Sequence, residues 1–299
     1  MHISDILSSP KPSLSFEFYP PKAAPAWEEL YETIRDLETL SPSFVSVTYG
    51  AGGGTRELTH DLVVRIKQTT SIPPVPHLTC VGHTRAEIDA ILTRYAEAGV
   101  SNILALRGDP PKGQPDYDWS LGDFRQASDL VSYIKEFNAS GKHPDPRGFG
   151  IGVAGFPEGH PTTPNRVDEL DHMKAKVDAG ADYICTQLFF DNHDFFDYRD
   201  RCDIAGIHIP IIAGIMPVTS LGGMKRMAEL AAGARYPAKL LKTLNRAAEN
   251  HDPAAVERAG IHYAAQQCAE LLDNAIAGIH FYTLNKSHTT RQIYASLGL

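Results

Sequence analysis

Short runs of β-branched and aromatic residues alternate with longer segments of helical periodicity along nearly the whole chain. Such runs are typical of strands that are buried on both faces. The sequence predicts eight strands, at 14–19, 44–49, 75–80, 102–107, 149–156, 182–190, 209–215 and 278–284.

The segments between these runs place apolar residues on one face of a helix. In the first of them, Leu30, Ile34 and Leu37 recur at helical spacing. Several segments stop at an Ala-Gly pair such as Ala98-Gly99, because glycine adopts the left-handed cap conformation at little steric cost. The predicted helices span 26–40, 55–68, 84–98, 124–137, 167–179, 193–204, 220–232, 254–277 and 289–296.

Alternating strands and helices predict a parallel sheet that helices cover. Eight such units in 299 residues fit a single α/β domain, the (β/α)8 TIM barrel. An extra helix at 237–250 is an insertion before the eighth strand. The competing architecture is an open doubly wound sheet, in one or two domains.

Composition and charge limit the kinds of function that this chain can have. Hydrophobic residues make up 42% of the chain and charged residues 21%, as in ordinary soluble domains. The net charge of −8 argues against non-specific binding to nucleic acid or to an anionic membrane. An anionic ligand must therefore meet locally placed cations. Four cysteines without a CxxC pair suit a reducing compartment, and the first residues lack the apolar run of a signal peptide, so we expect a cytoplasmic protein.

The carboxyl ends of the predicted strands carry the candidate chemistry, because active sites of such barrels lie there. Glu17 is the sharpest candidate. Strand alternation puts Phe16 and Phe18 on one face and Glu17 on the other, which is the barrel interior or its mouth. Burial there would raise the pKa of Glu17, as a general acid working near neutral pH requires. The alternative is an ion pair with a neighbouring strand.

Three further strand ends carry polar groups. Arg107-Gly108-Asp109 could grip a phosphate through the arginine, or form a turn with an internal ion pair. His77 in an apolar strand is more often a core residue than a ligand-binding one. Gln187 is a buried amide whose partner could be another interior group or a substrate.

Two glycine patterns and the thirteen histidines bear on whether the chain binds a dinucleotide or a metal ion. The stretch 150–155 spells GxGxxG, but it lies inside a strand and no helix follows, so it does not predict a dinucleotide-binding turn. The glycines at 50–54 favour a βα loop that approaches a ligand closely. No HxH or HExxH motif occurs, so no metal site is expected.

Taken together, the strand ends resemble the methylenetetrahydrofolate reductase family. Each piece is short, but they occur in the family's order and span almost the whole chain. The matching pieces are 15–22, 47–51, 76–80, 105–109, 176–181, 186–187 and 280–285.

The resemblance implies a single flavin-binding catalytic barrel over 1–299 that contains FAD. It would use NADH or NADPH to reduce 5,10-methylenetetrahydrofolate to 5-methyltetrahydrofolate. In this family the nicotinamide cofactor reduces the flavin and leaves, and the folate then uses the same face of the flavin. A homo-oligomer with no nucleic-acid or membrane partner is expected. The longer relatives' C-terminal regulatory domain is not expected after the eighth strand.

The resemblance also assigns roles to residues. Glu17 matches the general acid, Asp109 would lie beside the flavin and the pterin, and Gln187 would hydrogen-bond the pterin. Lys286 stands where the family usually has a substrate-binding arginine, and Leu221 where some members have a stacking phenylalanine. The flavin-contacting positions are Thr48, Tyr49, Ala51, His77, Arg107, Gly108, Asp109, Ala127, Phe156, His160, Glu169, His172 and Lys176.

Two other functions compete with this interpretation. One is a TIM-barrel lyase or aldolase that uses Lys286 as a Schiff-base nucleophile, which requires a desolvated lysine. The other is a folate- or flavin-binding protein without turnover.

Overall fold

Eight parallel strands close into a barrel in chain order, β1 to β8, in the computed structural model. The (β/α)8 prediction is confirmed, and the open doubly wound sheet is wrong. The strands are β1 Ser13–Phe18, β2 Phe44–Val47, β3 Pro74–Thr79, β4 Asn102–Leu106, β5 Gly150–Gly155, β6 Tyr183–Thr186, β7 Ile211–Ile215 and β8 Gly278–Tyr282. The structure describes residues 1–50, 55–110, 117–119, 121–163, 165–231, 233–249 and 252–299.

Helices surround the barrel. Their bounds are α1 Ile3–Leu7, α2 Pro25–Glu38, α3 Arg56–Thr69, α4 Arg85–Glu97, α5 Ala127–Ala139, α6 Arg166–Asp178, α7 Asn192–Ile204, α8 Leu221–Leu230, α9 Ala238–Ala248, α10 Pro253–Asp273 and α11 His288–Leu297. The predicted helices are present, and α9 is the expected insertion before β8. Among the described residues, no helix combines the length and the apolar character that crossing a lipid bilayer requires.

Closure depends on β1, which pairs with both β2 and β8. Alternate residues of β1 face opposite sides. Phe16 points outward, where its ring lies 6.2 Å from Phe281 and 5.8 Å from Tyr294 on α11. Glu17 points inward. The outward faces of the strands and the inward faces of the helices form one buried layer, which supplies most of the apolar core.

Many predicted boundaries differ from the structure by a few residues, and two of these differences have a clear structural cause. The sixth strand ends at Thr186, because the following residues leave the barrel: Phe189 packs in the main core, whereas Leu188 and Phe190 pack with α8, α9 and α10. The fifth helix begins at Ala127, later than the predicted start at 124, because Gln126 and Asp129 cap its first turn.

The short helix α1 was not predicted, since five residues give too little periodicity. It covers the amino-terminal end of the barrel. The amide of Ile3 donates to the side chain of Asn102, whose amide group donates to the carbonyl of Met1. The Ile3 side chain completes a buried apolar plug with Phe44, Val75, Leu104, Tyr183, Cys185 and Ile212.

The GxGxxG stretch coincides with β5, so rejecting it as a dinucleotide-binding turn is confirmed. Its glycines provide space. A Cβ at Gly152 would lie 2.3 Å from the ring of Tyr183, which occupies the barrel interior. Only glycine leaves room for that ring.

Candidate active site

Glu17 lies at the mouth of the barrel and faces two histidines. Its Oε2 atom is 3.5 Å from Nε2 of His77 and 4.0 Å from Nε2 of His280, and 19% of its side chain is exposed. Burial raises the pKa of Glu17 to about 8, against a smaller opposing effect of a hydrogen bond from Ser46. Burial lowers the pKa of His77 to about 4. At neutral pH the contact therefore joins a protonated carboxyl group and an uncharged imidazole, rather than an ion pair.

His280 is part of this cluster, although no sequence pattern pointed to a role for it. Its Nδ1 lies 2.8 Å from the Ser15 hydroxyl and its Nε2 lies 3.0 Å from the Ser46 hydroxyl. Burial lowers its pKa to about 3, so the ring is neutral. Alternation already indicated that Ser15 shares the inward face with Glu17. The pairing of β1 with β8 sets His280 opposite Ser15.

Tyr282 and Gln187 form a neighbouring part of the mouth. The Tyr282 hydroxyl donates to the carbonyl of Thr186 at 2.7 Å. Its ring lies over Gly214, where a Cβ would be 2.8 Å from the ring. The side-chain oxygen of Gln187 accepts from the amide of Leu188 at 2.8 Å. This bond fixes the Gln187 amide, so its NH₂ group is the part that can meet a ligand.

The Arg107-Gly108-Asp109 turn follows β4 directly. Gly108 has φ 88°, and a Cβ there would lie 2.7 Å from Val81, so only glycine fits. The guanidinium of Arg107 lies over the Trp119 ring, 4.5 Å from its centroid. Arg107 and Asp109 do not approach within ion-pair distance of each other, and Asp109 is exposed. The predicted alternative of an internal ion pair is therefore wrong.

Cationic groups gather beside this turn. The Nζ atom of Lys176 donates to the carbonyl of Ala154 at 2.7 Å, and burial lowers its pKa to about 8. The pKa of His160 is lowered by burial and then by the positive charge of Arg107, with Asp109 opposing both. The exposed His172 adds a smaller lowering of that pKa, so it too lies near His160. The ends of β4 and β5 thus form a positive site in an acidic chain.

Phe156 and Glu169 complete this side of the mouth. The ring of Phe156 meets His160 edge-on, with 4.6 Å between their centroids. Glu169 on α6 is buried, which raises its pKa, and its charge raises that of Lys176.

The remaining predicted residues differ in what they can contribute. Thr48 lies at the end of β2, and its carbonyl accepts from Thr59. Ala127 opens α5. The ring of Tyr49 packs in the layer between strands and helices, so its backbone is the part that lines the mouth. Lys286 follows β8 with an exposed side chain, unlike a desolvated Schiff-base lysine. Ala51 lies outside the described residues.

Several buried polar atoms near the mouth have no hydrogen-bond partner among the described residues. They are His77 Nε2, Thr79 Oγ1 and Glu169 Oε2. Buried polar atoms are normally satisfied, so such a set indicates a place for a polar ligand. Together with the positive site, it fits an elongated cofactor with hydroxyl, ring-nitrogen and phosphate groups, as FAD has. The described residues contain no group of three or more His, Cys, Asp or Glu side chains placed to hold a metal ion.

Comparison with known proteins decides the family. The family model described as methylenetetrahydrofolate reductase matches residues 2–298. The chain belongs to the methylenetetrahydrofolate reductase family. The 5,10-methylenetetrahydrofolate reductase of Escherichia coli strain K12 is 36% identical over 289 residues, covering 96% of this chain and 91% of the relative.

Longer members of the family match over part of their length. Methylenetetrahydrofolate reductase 1 of Schizosaccharomyces pombe is 39% identical and is matched by 100% of this chain over 49% of its own length. Methylenetetrahydrofolate reductase (NADH) 1 of Arabidopsis thaliana is 37% identical, with 99% of this chain and 50% of the relative covered. The chain thus spans about half the length of these two relatives.

The fold recurs in a distant solved structure. A protein from Clostridium thermocellum that binds two copies of 5-methyl-5,6,7,8-tetrahydrofolic acid superposes with a TM-score of 0.63, at 14% identity, covering 99% of this chain and 97% of that one. At this identity the likeness supports the barrel architecture.

Proposed function

We propose that the chain reduces 5,10-methylenetetrahydrofolate to 5-methyltetrahydrofolate with NADH or NADPH, using FAD held at the mouth of the barrel. The observation that carries this proposal is the carboxyl group of Glu17, whose pKa of about 8 keeps it protonated beside the neutral His77. This reaction needs a proton donor that is still protonated at neutral pH. Family membership supports the substrate class.

The positive site would hold the cofactor. Arg107 has no carboxylate partner among the described residues, so its guanidinium can meet the diphosphate of FAD. Lys176 lies on the same side and adds a second cation. The orphaned carboxyl oxygen of Glu169 and the ring nitrogen of His77 offer further polar contacts. FAD, when bound, would supply the hydride chemistry, taking a hydride from the nicotinamide cofactor and passing it to the folate.

Glu17 would supply the proton that balances the reaction. Opening the five-membered ring of the folate breaks the bond between N10 and the bridging carbon, and the proton from Glu17 goes to N10. The bridging carbon, still bound to N5, then accepts the hydride and becomes the methyl group. Each turnover consumes one hydride and one proton, so Glu17 must be protonated again before the next.

Asp109 and Gln187 would orient the pterin. The NH₂ group of Gln187 is available because its oxygen is fixed by Leu188. Asp109 follows the tight turn at Gly108, which brings the backbone near the site. The four cysteines are buried free thiols, which fits the reducing conditions of the cytoplasm.

Measuring the two half-reactions separately tests the proposal. Glu17→Gln should bind FAD and be reduced by NADH or NADPH at the wild-type rate, because Glu17 gives no proton in that step. Reoxidation by the folate should slow by about 100-fold or more. Glu97→Gln, at an exposed position on α4, is the matched control and should alter neither rate.

Two results would overturn the proposal. One is equal loss of both half-reactions in Glu17→Gln. The other is a colourless wild-type protein that cannot be reconstituted with FAD. Multiple turnovers in a steady-state assay distinguish the enzyme from a binding protein without turnover.

A further inference from the structure

We propose that Trp119 is a positioning residue for cofactor binding: its ring holds the Arg107 guanidinium toward the anionic diphosphate. This inference rests on the proposed function, which names the ligand. The supporting observation is the cation–π pair itself, with the guanidinium carbon 4.5 Å from the centroid of the Trp119 ring. No sequence pattern indicates this role, since Trp119 is one of two tryptophans in the chain and lies between elements.

The backbone of Arg107 is fixed, whereas its side chain needs support. Its carbonyl accepts from the amide of Val81 at 2.9 Å and from the thiol of Cys80 at 3.7 Å, which anchors the end of β4 to the end of β3. In the described ranges no carboxylate lies within 4.0 Å of the guanidinium. The Trp119 ring is therefore the contact that can restrict the long side chain.

Trp119 is itself braced by Tyr117, which lies two residues earlier in the chain. The ring of Tyr117 meets it edge-on, at 5.4 Å between centroids and 89° between planes. The Tyr117 hydroxyl in turn lies close to Gly82, where a Cβ would be only 2.8 Å from it. Gly82 has φ 70° and belongs to the turn after β3. The chain of contacts thus links the loop after β4 to the loop after β3.

An aromatic partner suits an arginine that must bind a phosphate. A carboxylate would orient the guanidinium but would also neutralise it and occupy its N–H donors. A ring face holds the cation and leaves its edges available. The charge of Arg107 reaches both His160 and Lys176, where it lowers the pKa, so the cation remains effective at the site.

FAD binding to the apoprotein of four variants tests the inference. Trp119→Leu should weaken FAD binding by about 3- to 30-fold, the range expected for losing a cation–π contact. Trp119→Phe should recover most of the affinity, because a ring face remains. Arg107→Met removes the cation. In the double variant Arg107→Met, Trp119→Leu, the tryptophan change should have no further effect, because Trp119 acts through Arg107.

Trp27→Leu is the matched control, since Trp27 lies on α2 and packs against Tyr31 at 5.8 Å. It should leave FAD affinity unchanged. Additive losses in the double variant would overturn the inference, since they show that Trp119 acts independently of Arg107. An unchanged affinity in Trp119→Leu would overturn it as well, while leaving the proposed function intact. Absence of FAD binding by the wild-type apoprotein would overturn both.

Discussion

The two ends of the barrel interior differ in chemistry although the same strands build both. At the amino-terminal end, Ile3 of α1 packs with Phe44 on β2 and Val75 on β3. Two residues further along the same strands, the inward positions are Ser46 and His77, which lie beside Glu17. A step of about 7 Å thus replaces a hydrocarbon plug with ionisable groups.

The difference means that one end of the barrel contributes to stability and the other to ligand binding and catalysis. The plug contributes by burying apolar surface, and it needs no ligand. The mouth holds a carboxyl group and two imidazoles whose pKa values are displaced by burial, and several buried polar atoms there are without partners. Such groups are retained for what they bind or for the proton they carry. Substitutions at the two ends should therefore affect different measurements.

The largest expected effect is on stability, at the plug. Ile3→Ala should lower the free energy of unfolding by about 2–5 kcal/mol, because it leaves a cavity at a fully buried site. Urea unfolding measures this. Ile204→Ala, at a position 86% exposed, is the control and should cost less than about 0.5 kcal/mol. If the folded Ile3→Ala variant failed to bind FAD, the two ends of the barrel would not act independently.

The next effect is the pH dependence of stability caused by Glu17. Its folded pKa of about 8 lies above the ordinary 4.5, so between these values the folded state holds a proton that the unfolded state has lost. Wild type should therefore lose stability relative to Glu17→Gln as pH rises through this window, by about 1.4 kcal/mol per pH unit. Unfolding free energies from pH 5.5 to 7.5 test this; a constant difference would contradict the raised pKa.

A smaller effect is expected at Asp109. Asp109→Asn removes a negative charge beside the cofactor site, so the reduced flavin should be stabilised and its midpoint potential should rise by on the order of 10–30 mV. The folate half-reaction should slow by about 10-fold. Asp200→Asn, exposed on α7, serves as the control. Unchanged potential and unchanged folate rate would remove Asp109 from the site.

The smallest effect is expected at Lys286. Because its side chain is exposed, it can contact the outer part of a substrate, and Lys286→Met should raise the KM for the folate about 5-fold with little change in kcat. Lys286→Arg should stay within about twofold of wild type, since it keeps the charge. A loss of about 1,000-fold or more in Lys286→Met would instead favour the Schiff-base alternative.

Local pattern was sufficient to predict the barrel, which follows from the alternation of strands with helices, and the inward placement of Glu17, which follows from alternation within a strand. It was insufficient where the neighbour comes from a distant part of the chain. His280 meets Ser15 only because β8 closes onto β1, a separation of 265 residues. Trp119 lies in a loop, where periodicity carries no information, and α1 is too short to show any. The direction of the Glu17 pKa shift was predicted, but its size and the lowered pKa values of His77 and His280 were not, since they depend on how deeply each group is buried.

The pairing of β1 with β8 also affects the synthesis of the protein. One of the two partners of the first strand is made only some 265 residues later. At ordinary elongation rates the edge of β1 waits roughly 15 to 50 s for it. During that interval the nascent sheet has an unprotected edge next to unfilled apolar surface. We therefore expect newly made chains to need chaperones most just before the eighth strand emerges.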